Sequence, residues 1–254
     1  MTEPADKPVS KVPGREAMHA PLPKRFYQKV DVREEPGGGF AVLLDGRPVR
    51  TPKKLQLQVP TRALAEAIAA EWSAQTERID PATMPLSKIA ITTIDGVEEN
   101  APEVAAEIVR FAGSDLLCYR AEGPSALADL QSMTWDPTLS WIEAETGERF
   151  LLAEGVMPVT QSRHALEGFA TLLVPFNAFA LACLHVMTTL TGSAFLALAV
   201  AKGRMSLAEA WAAAHLDEDW QIARWGIDVE AADRRERRWQ EMQSAGRFLE
   251  LLSK

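Results

Sequence analysis

Between residues 24 and 60 apolar and polar positions alternate in short runs. FAVLLDGRPVRT (40–51) places Asp45-Gly46 between two strand-like stretches, a strong local signal for a hairpin. LQLQVP (55–60) puts Leu55, Leu57 and Val59 on one face. FYQKVDVRE is short and partly alternating, and PGGG reads as a turn. Three or four antiparallel strands with one buried face are expected here. After Pro60 the period lengthens. Thr61 is placed to cap a helix in which Leu64, Ile68 and Trp72 recur every fourth residue. Further helices are predicted over 85–95 and 102–112, with Pro102 in a first turn and Gly113-Ser114 as a stop. LLCYR (116–120) is strand-like and is expected to rejoin or neighbour the sheet.

A long helix is predicted over 124–146, with Leu127, Leu130 and Trp141 on its buried side and a kink or break at Pro137. Residues 147–163 read as a loop with one extended piece, VMPVTQ. Helices follow over about 163–173, 175–190, 193–202, 206–225 and 229–251, and Ser206 with Glu209 fits a capping box. The pattern predicts an α+β chain: a small β-rich N-terminal domain followed by an all-helical C-terminal domain. The expected organisation is a flexible tail over 1–23, an N-terminal α/β portion with antiparallel strands over 24–122, and a helical domain over 123–254. The tail is rich in proline and lacks an apolar period.

From Gly168 to Ala201 the chain has no Asp, Glu, Lys or Arg. Pro175, Asn177, His185 and the cluster Thr188, Thr189, Thr191, Gly192 and Ser193 interrupt this stretch. The favoured reading is a buried pair of helices; a membrane span and an exposed apolar binding surface are the alternatives.

The 35 acidic residues outnumber the 27 Lys and Arg, for a formal charge of −8, which argues against a nucleic-acid protein. The basic run Arg234, Arg235, Arg237, Arg238 is flanked by acids and reads as a solvated helix face. Cys118 and Cys183 sit in apolar surroundings and read as reduced core residues in a reducing compartment. The start lacks the apolar stretch of a secretory signal.

A search for chemistry finds no catalytic residue, cofactor site or metal site. No phosphate loop is present, and PGGGF (36–40) reads as a hairpin turn. His19, His164, His185 and His215 form no ligand pair, and His185 reads as a core histidine. Asp217, Glu218 and Asp219 form an acidic trio that reads as a helix start or a solvated face. Tryptophan is abundant instead, at Trp72, Trp135, Trp141, Trp211, Trp220, Trp225 and Trp239. Most are expected to anchor packing, and a minority to face a partner.

KRFYQKVDV (24–32), FAVLLDGRPVRTPKKLQLQVPT (40–61), LAEAIAAEWSAQTERIDPATMPLSKIAITTID (64–95), DLLCYRAEGPSALADLQSMTWDPTLSW (115–141) and WQIARWG (220–226) follow one another in this chain. In order and spacing they resemble the ATP12 family, the assembly factors of the F1 sector of ATP synthase. The resemblance implies a β-containing N-terminal domain joined to a helical one. It implies a chaperone that holds the free F1-ATPase α subunit until it pairs with β, with no catalysis and no cofactor. Nucleic acid and integral membrane insertion are not expected. The expected location is the bacterial cytoplasm, or the mitochondrial matrix if the source is eukaryotic. Trp72 matches the tryptophan of the family's EWxAQ motif, and its loss is expected to damage folding. The family's important acidic residue in the terminal helical region has two candidates here, Glu236 and Glu241, with Glu241 favoured. Trp239 and Met242, three apart on the same helix, are the expected apolar anchors beside them, together with Phe248. A protein-binding scaffold unrelated to F1, and an enzyme with a deep polar pocket in the helical half, are the alternatives.

Overall fold

The computed structural model describes residues 22–155 and 158–254. The tail expected over 1–23 therefore lies almost wholly outside the described residues, as do Val156 and Met157 of VMPVTQ.

Strands β1 (Val30–Glu34) and β2 (Phe40–Leu44) pair antiparallel with Val32 opposite Val42. The glycine turn between them has Gly38 and Gly39 at φ of 87° and 81°, backbone that glycine adopts without steric cost. Asp45 and Gly46, both at positive φ, turn the chain into β3 (Arg47–Pro48). β4 (Gln58–Val59) also pairs with β2. β2 is thus the central strand. Its Ala41, Val42, Leu43 and Leu44 are all buried, as an unbroken apolar run predicts for a strand covered on both faces. Leu57 and Val59 are buried as expected, whereas Leu55 stays exposed in the loop before β4.

Helix α1 (Arg62–Ser73) lies against this sheet with Leu64 and Ile68 fully buried and Trp72 half-buried. It is followed by α2 (Pro85–Thr92), a π turn (Thr93–Val97) and α3 (Ala101–Ala112). The strand-like LLCYR divides. Leu116–Cys118 is a 3-10 turn capped by the Asp115 carboxylate, and β5 (Tyr119–Arg120) pairs in parallel with β6 (Ala153–Glu154) and not with the main sheet. α4 (Ser125–Thr146) runs unbroken through Pro137. Met133, whose carbonyl loses its helical partner to that proline, is 76% exposed, on the solvent side of the helix. The buried face of α4 is Gln131, Trp135, Thr138, Leu139 and Ile142, rotated from the expected Leu127, Leu130 and Trp141.

The chain continues as α5 (Arg163–Leu173), α6 (Ala178–Thr191), α7 (Ala194–Ala201), α8 (Leu207–Ala214), α9 (Leu216–Trp225) and α10 (Val229–Leu252). The uncharged stretch becomes α6 and α7, split by Gly192 at φ 70° and by Ser193, whose side chain caps α7. α6 is apolar all round because it is covered all round, by α3, α7 and α10. No helix among the described residues is long and apolar enough to cross a membrane. The helix expected over 206–225 is broken at His215. α10 returns across α6 to α1 and α2, and Thr61 Oγ1 donates to the Leu251 carbonyl at 2.7 Å. One apolar cluster runs from Val42 and Leu57 through Leu184 and Phe195 to Phe248. The architecture is α+β, with a strand-rich N-terminal region and a mostly helical C-terminal region.

Candidate functional site

A surface feature that packing does not explain lies where α9 meets α10. α9 is closed by Gly226, whose φ of 87° lets the chain turn sharply, and Asp228 caps the start of α10 at Val229. Between the two helices lies a groove of about 590 Å³. Trp211, Ile222 and Trp239 contribute its apolar lining, and the Trp211 and Trp239 rings sit 5.3 Å apart. Trp225 and Ile227 line it at the turn and are 78% and 68% exposed; Val229, just outside the lining, is 73% exposed. Three large exposed apolar side chains at alternate positions across one helix junction are more than scattered surface hydrophobicity, which carries no meaning singly.

The polar part of the lining is acidic. Glu218, Asp219, Asp228 and Glu236 supply four carboxylates against the single guanidinium of Arg235. Arg235 bridges the helices, bonding both oxygens of Asp219 at 2.5 and 3.1 Å, and these bonds raise its pKa further. Behind the groove, His215 stacks on Trp211 with ring centroids 3.9 Å apart and has Nδ1 2.8 Å from the Trp211 carbonyl. Burial, the largest cause, lowers its pKa, and Arg235 and Arg238 add to the effect.

Trp239 and Glu236 are thus brought to the groove. Glu241 is exposed on α10 but does not line it. Met242 and Phe248 are fully buried, because the face of α10 that carries them packs on the core; they are not available as surface anchors. Sequence reasoning named Trp225 only among the tryptophans of which a minority would face a partner, and passed over Ile227 and Val229. The available signal was the second tryptophan of WQIARWG, placed directly before a glycine.

Most of the other motif residues hold the fold. Gln131 is buried; its carbonyl accepts from Ala121 N at 2.8 Å and its amide donates to Asp217 at 2.7 Å. Trp135 donates its indole N–H to the Ala213 carbonyl at 2.9 Å, and Arg120 lies over its ring while bonding Asp136 at 2.7 Å and the Leu117 carbonyl at 2.9 Å. In EWSAQ, Glu71 accepts from Leu86 N, Ser87 N and Ser87 Oγ, which caps the start of α2. Trp72 packs edge-on to Tyr27 at 5.8 Å. The acidic trio is the first turn of α9, where carboxylates meet the positive end of the helix dipole.

The groove is not the deep pocket of converging His, Asp and Glu that an enzyme reading requires. Histidine is absent from the groove lining, and His185, which is part-exposed rather than a core residue, faces Glu107 on another side at 3.4 Å. No group of three or more His, Cys, Asp or Glu side chains able to hold a metal occurs among the described residues. Cys118 and Cys183 are buried, and burial pushes both thiols up, Cys118 to about 12.

A family model described as ATP12 chaperone protein matches residues 24–143. The chain is 23% identical over 223 residues to mitochondrial protein atp12 of Schizosaccharomyces pombe, covering 82% of this chain and 76% of that protein. The crystal structure of the Atu1473 protein of Agrobacterium tumefaciens shares 50% identity and superposes with a TM-score of 0.87, over 92% of this chain and 88% of that one. The Atp12 structure from Paracoccus denitrificans shares 41% identity with a TM-score of 0.86, over 91% of this chain and 98% of that one. Identity of 41–50% over more than nine-tenths of the chain places it in the ATP12 chaperone family.

Proposed function

We propose that this chain binds the free α subunit of the F1-ATPase and keeps it from aggregating until it assembles. As a member of the ATP12 family the chain is a chaperone of F1-ATPase assembly and not an enzyme. The choice of α subunit as the held partner is the finer step. The observation that carries it is the exposed apolar turn Trp225-Ile227-Val229 on a family member whose other large side chains are mostly committed to its core. An unassembled subunit exposes surface made for a neighbour, and such surface aggregates unless covered. A holding protein must offer matching apolar surface of its own and still release it, which suits a small exposed patch with a charged rim. The proposed place of action is the bacterial cytoplasm, or the mitochondrial matrix for a eukaryotic source.

The test is light scattering of denatured F1 α subunit diluted into buffer with and without this chain, paired with a pull-down from native extract. Suppressed scattering and recovery of α subunit are expected. Absence of both would remove the α subunit as the partner.

A further inference from the structure

We infer that the α9–α10 groove docks a partner segment of apolar side chains bordered by Lys or Arg. The inference rests on the proposal that the chain holds the F1 α subunit, and assigns the docking surface and the chemistry it selects. Three observations carry it. The first is the exposure of Trp225, Ile227 and Val229 at alternate positions across the α9–α10 junction, where the other large exposed apolar side chains, such as Phe26, Met133 and Val174, lie apart in sequence. Tryptophan in this position is the residue type that most often dominates an interface. The second is the groove floor, where the Trp211 and Trp239 rings, 5.3 Å apart, make an apolar base.

Charge is the third. Four carboxylates line the groove against one guanidinium, and that guanidinium is already bonded to Asp219 with Glu218 3.8 Å away. Asp228 is partly occupied in capping α10. Glu236, which accepts only from the neutral Gln240 amide at 3.2 Å, is a lining carboxylate with no cationic partner. An acidic partner would face uncompensated repulsion in a groove that also removes water, and a purely apolar one would leave those carboxylates without a counter-charge as they lose solvent. A mixed basic and apolar segment satisfies both parts of the lining. The volume of about 590 Å³ accommodates a few side chains rather than a folded domain, so the occupant is a protruding segment of the partner.

The test uses the whole chain and two probes. Binding of isolated F1 α subunit is measured for wild type, for Trp225→Ala/Ile227→Ala, and for Glu236→Lys. The double variant is expected to weaken binding about 30-fold or more, as loss of an interface hot spot does. Glu236→Lys is expected to weaken it and to reduce its salt dependence, with circular dichroism and melting of both variants matching the wild type. Wild-type binding with an unaffected double variant would overturn the groove and leave the chaperone reading standing. The second probe is a short synthetic amphipathic peptide of Leu and Lys, compared by calorimetry with its Leu and Glu counterpart. A preference for the Lys peptide of about tenfold, lost in the double variant, supports the assignment whatever the α subunit does. Equal binding, a preference for Glu or no binding overturns it. A concentration-dependent dimer of the wild type that the double variant dissolves would make a second copy the occupant and overturn it as well.

Discussion

The clip around Trp135 and the groove beside Trp225 are both built on tryptophan and carboxylate, and they are opposite in kind. In the clip every polar group closes on another. Gln131 joins Ala121 to Asp217, Arg120 joins Leu117 to Asp136, and the Trp135 indole, 1% exposed, bonds the Ala213 carbonyl. In the groove Trp225 stands free, and carboxylates outnumber cations. A buried polar network is stable only when complete, so its members are tightly specified by one another. A binding surface must leave its apolar groups uncovered until a partner arrives. A conspicuous string such as YRA…Q…WDP therefore reports folding, while a surface that binds can rest on residues that look ordinary in the sequence.

The sharpest way to break this contrast is Trp135→Ala. It removes a buried ring and leaves the Ala213 carbonyl without its donor, and a loss of about 3–5 kcal/mol is expected in urea denaturation. A loss under about 1 kcal/mol would show that the clip is not what holds α4 to the α8–α9 junction. Trp72→Ala should cost less, about 2–3 kcal/mol, since the ring is only half-buried and its stripe-mates Leu64 and Ile68 keep their places. If the two tryptophan variants melt together, burial has been misjudged at one of them.

Asp115 sharpens the picture of the buried network. Its carboxyl is fully buried, accepting from Ser193 Oγ at 2.7 Å and from Leu117 N and Phe195 N at 3.1 Å. Burial pushes its pKa up to about 7 against the pull of those donors. The folded state then holds a proton that the unfolded state releases. This group's stabilising share is complete below about pH 4, declines as pH rises and is gone above about pH 7. Asp115→Asn, which cannot ionise, should be less stable overall but flatter between pH 4 and 8 than the wild type. Parallel curves for the two proteins would mean that the donors and the α7 N-terminus keep the carboxylate ionised. The smallest expected effect lies in the groove. Trp225→Ala should change stability by no more than about 0.5 kcal/mol, because the ring is 78% exposed. A melt lowered as far as that of Trp72→Ala would make Trp225 a packing residue and dissolve the contrast.

Local pattern alone determined much of this protein. The hairpin at Asp45-Gly46, the stripe Leu64-Ile68, the capping box Ser206-Glu209 and the break at Gly192 all stand where the sequence puts them, because each depends on residues within a turn of one another. The buried face of α4 was not legible. Apolarity pointed to Leu130, which is exposed, while the core side carries Gln131 and Thr138. Gln131 is buried because Ala121 and Asp217, distant in sequence, supply its partners. Likewise nothing local distinguishes Met242 from Trp225; one is sealed and the other open because α10 lays its Met242 face on the core while the turn at Gly226 carries Trp225 beyond it. Hydrogen bonds within a few residues and hydrophobic period are properties of the chain. Which side of a helix is dry, and which polar group finds its partner there, is decided only when distant segments meet.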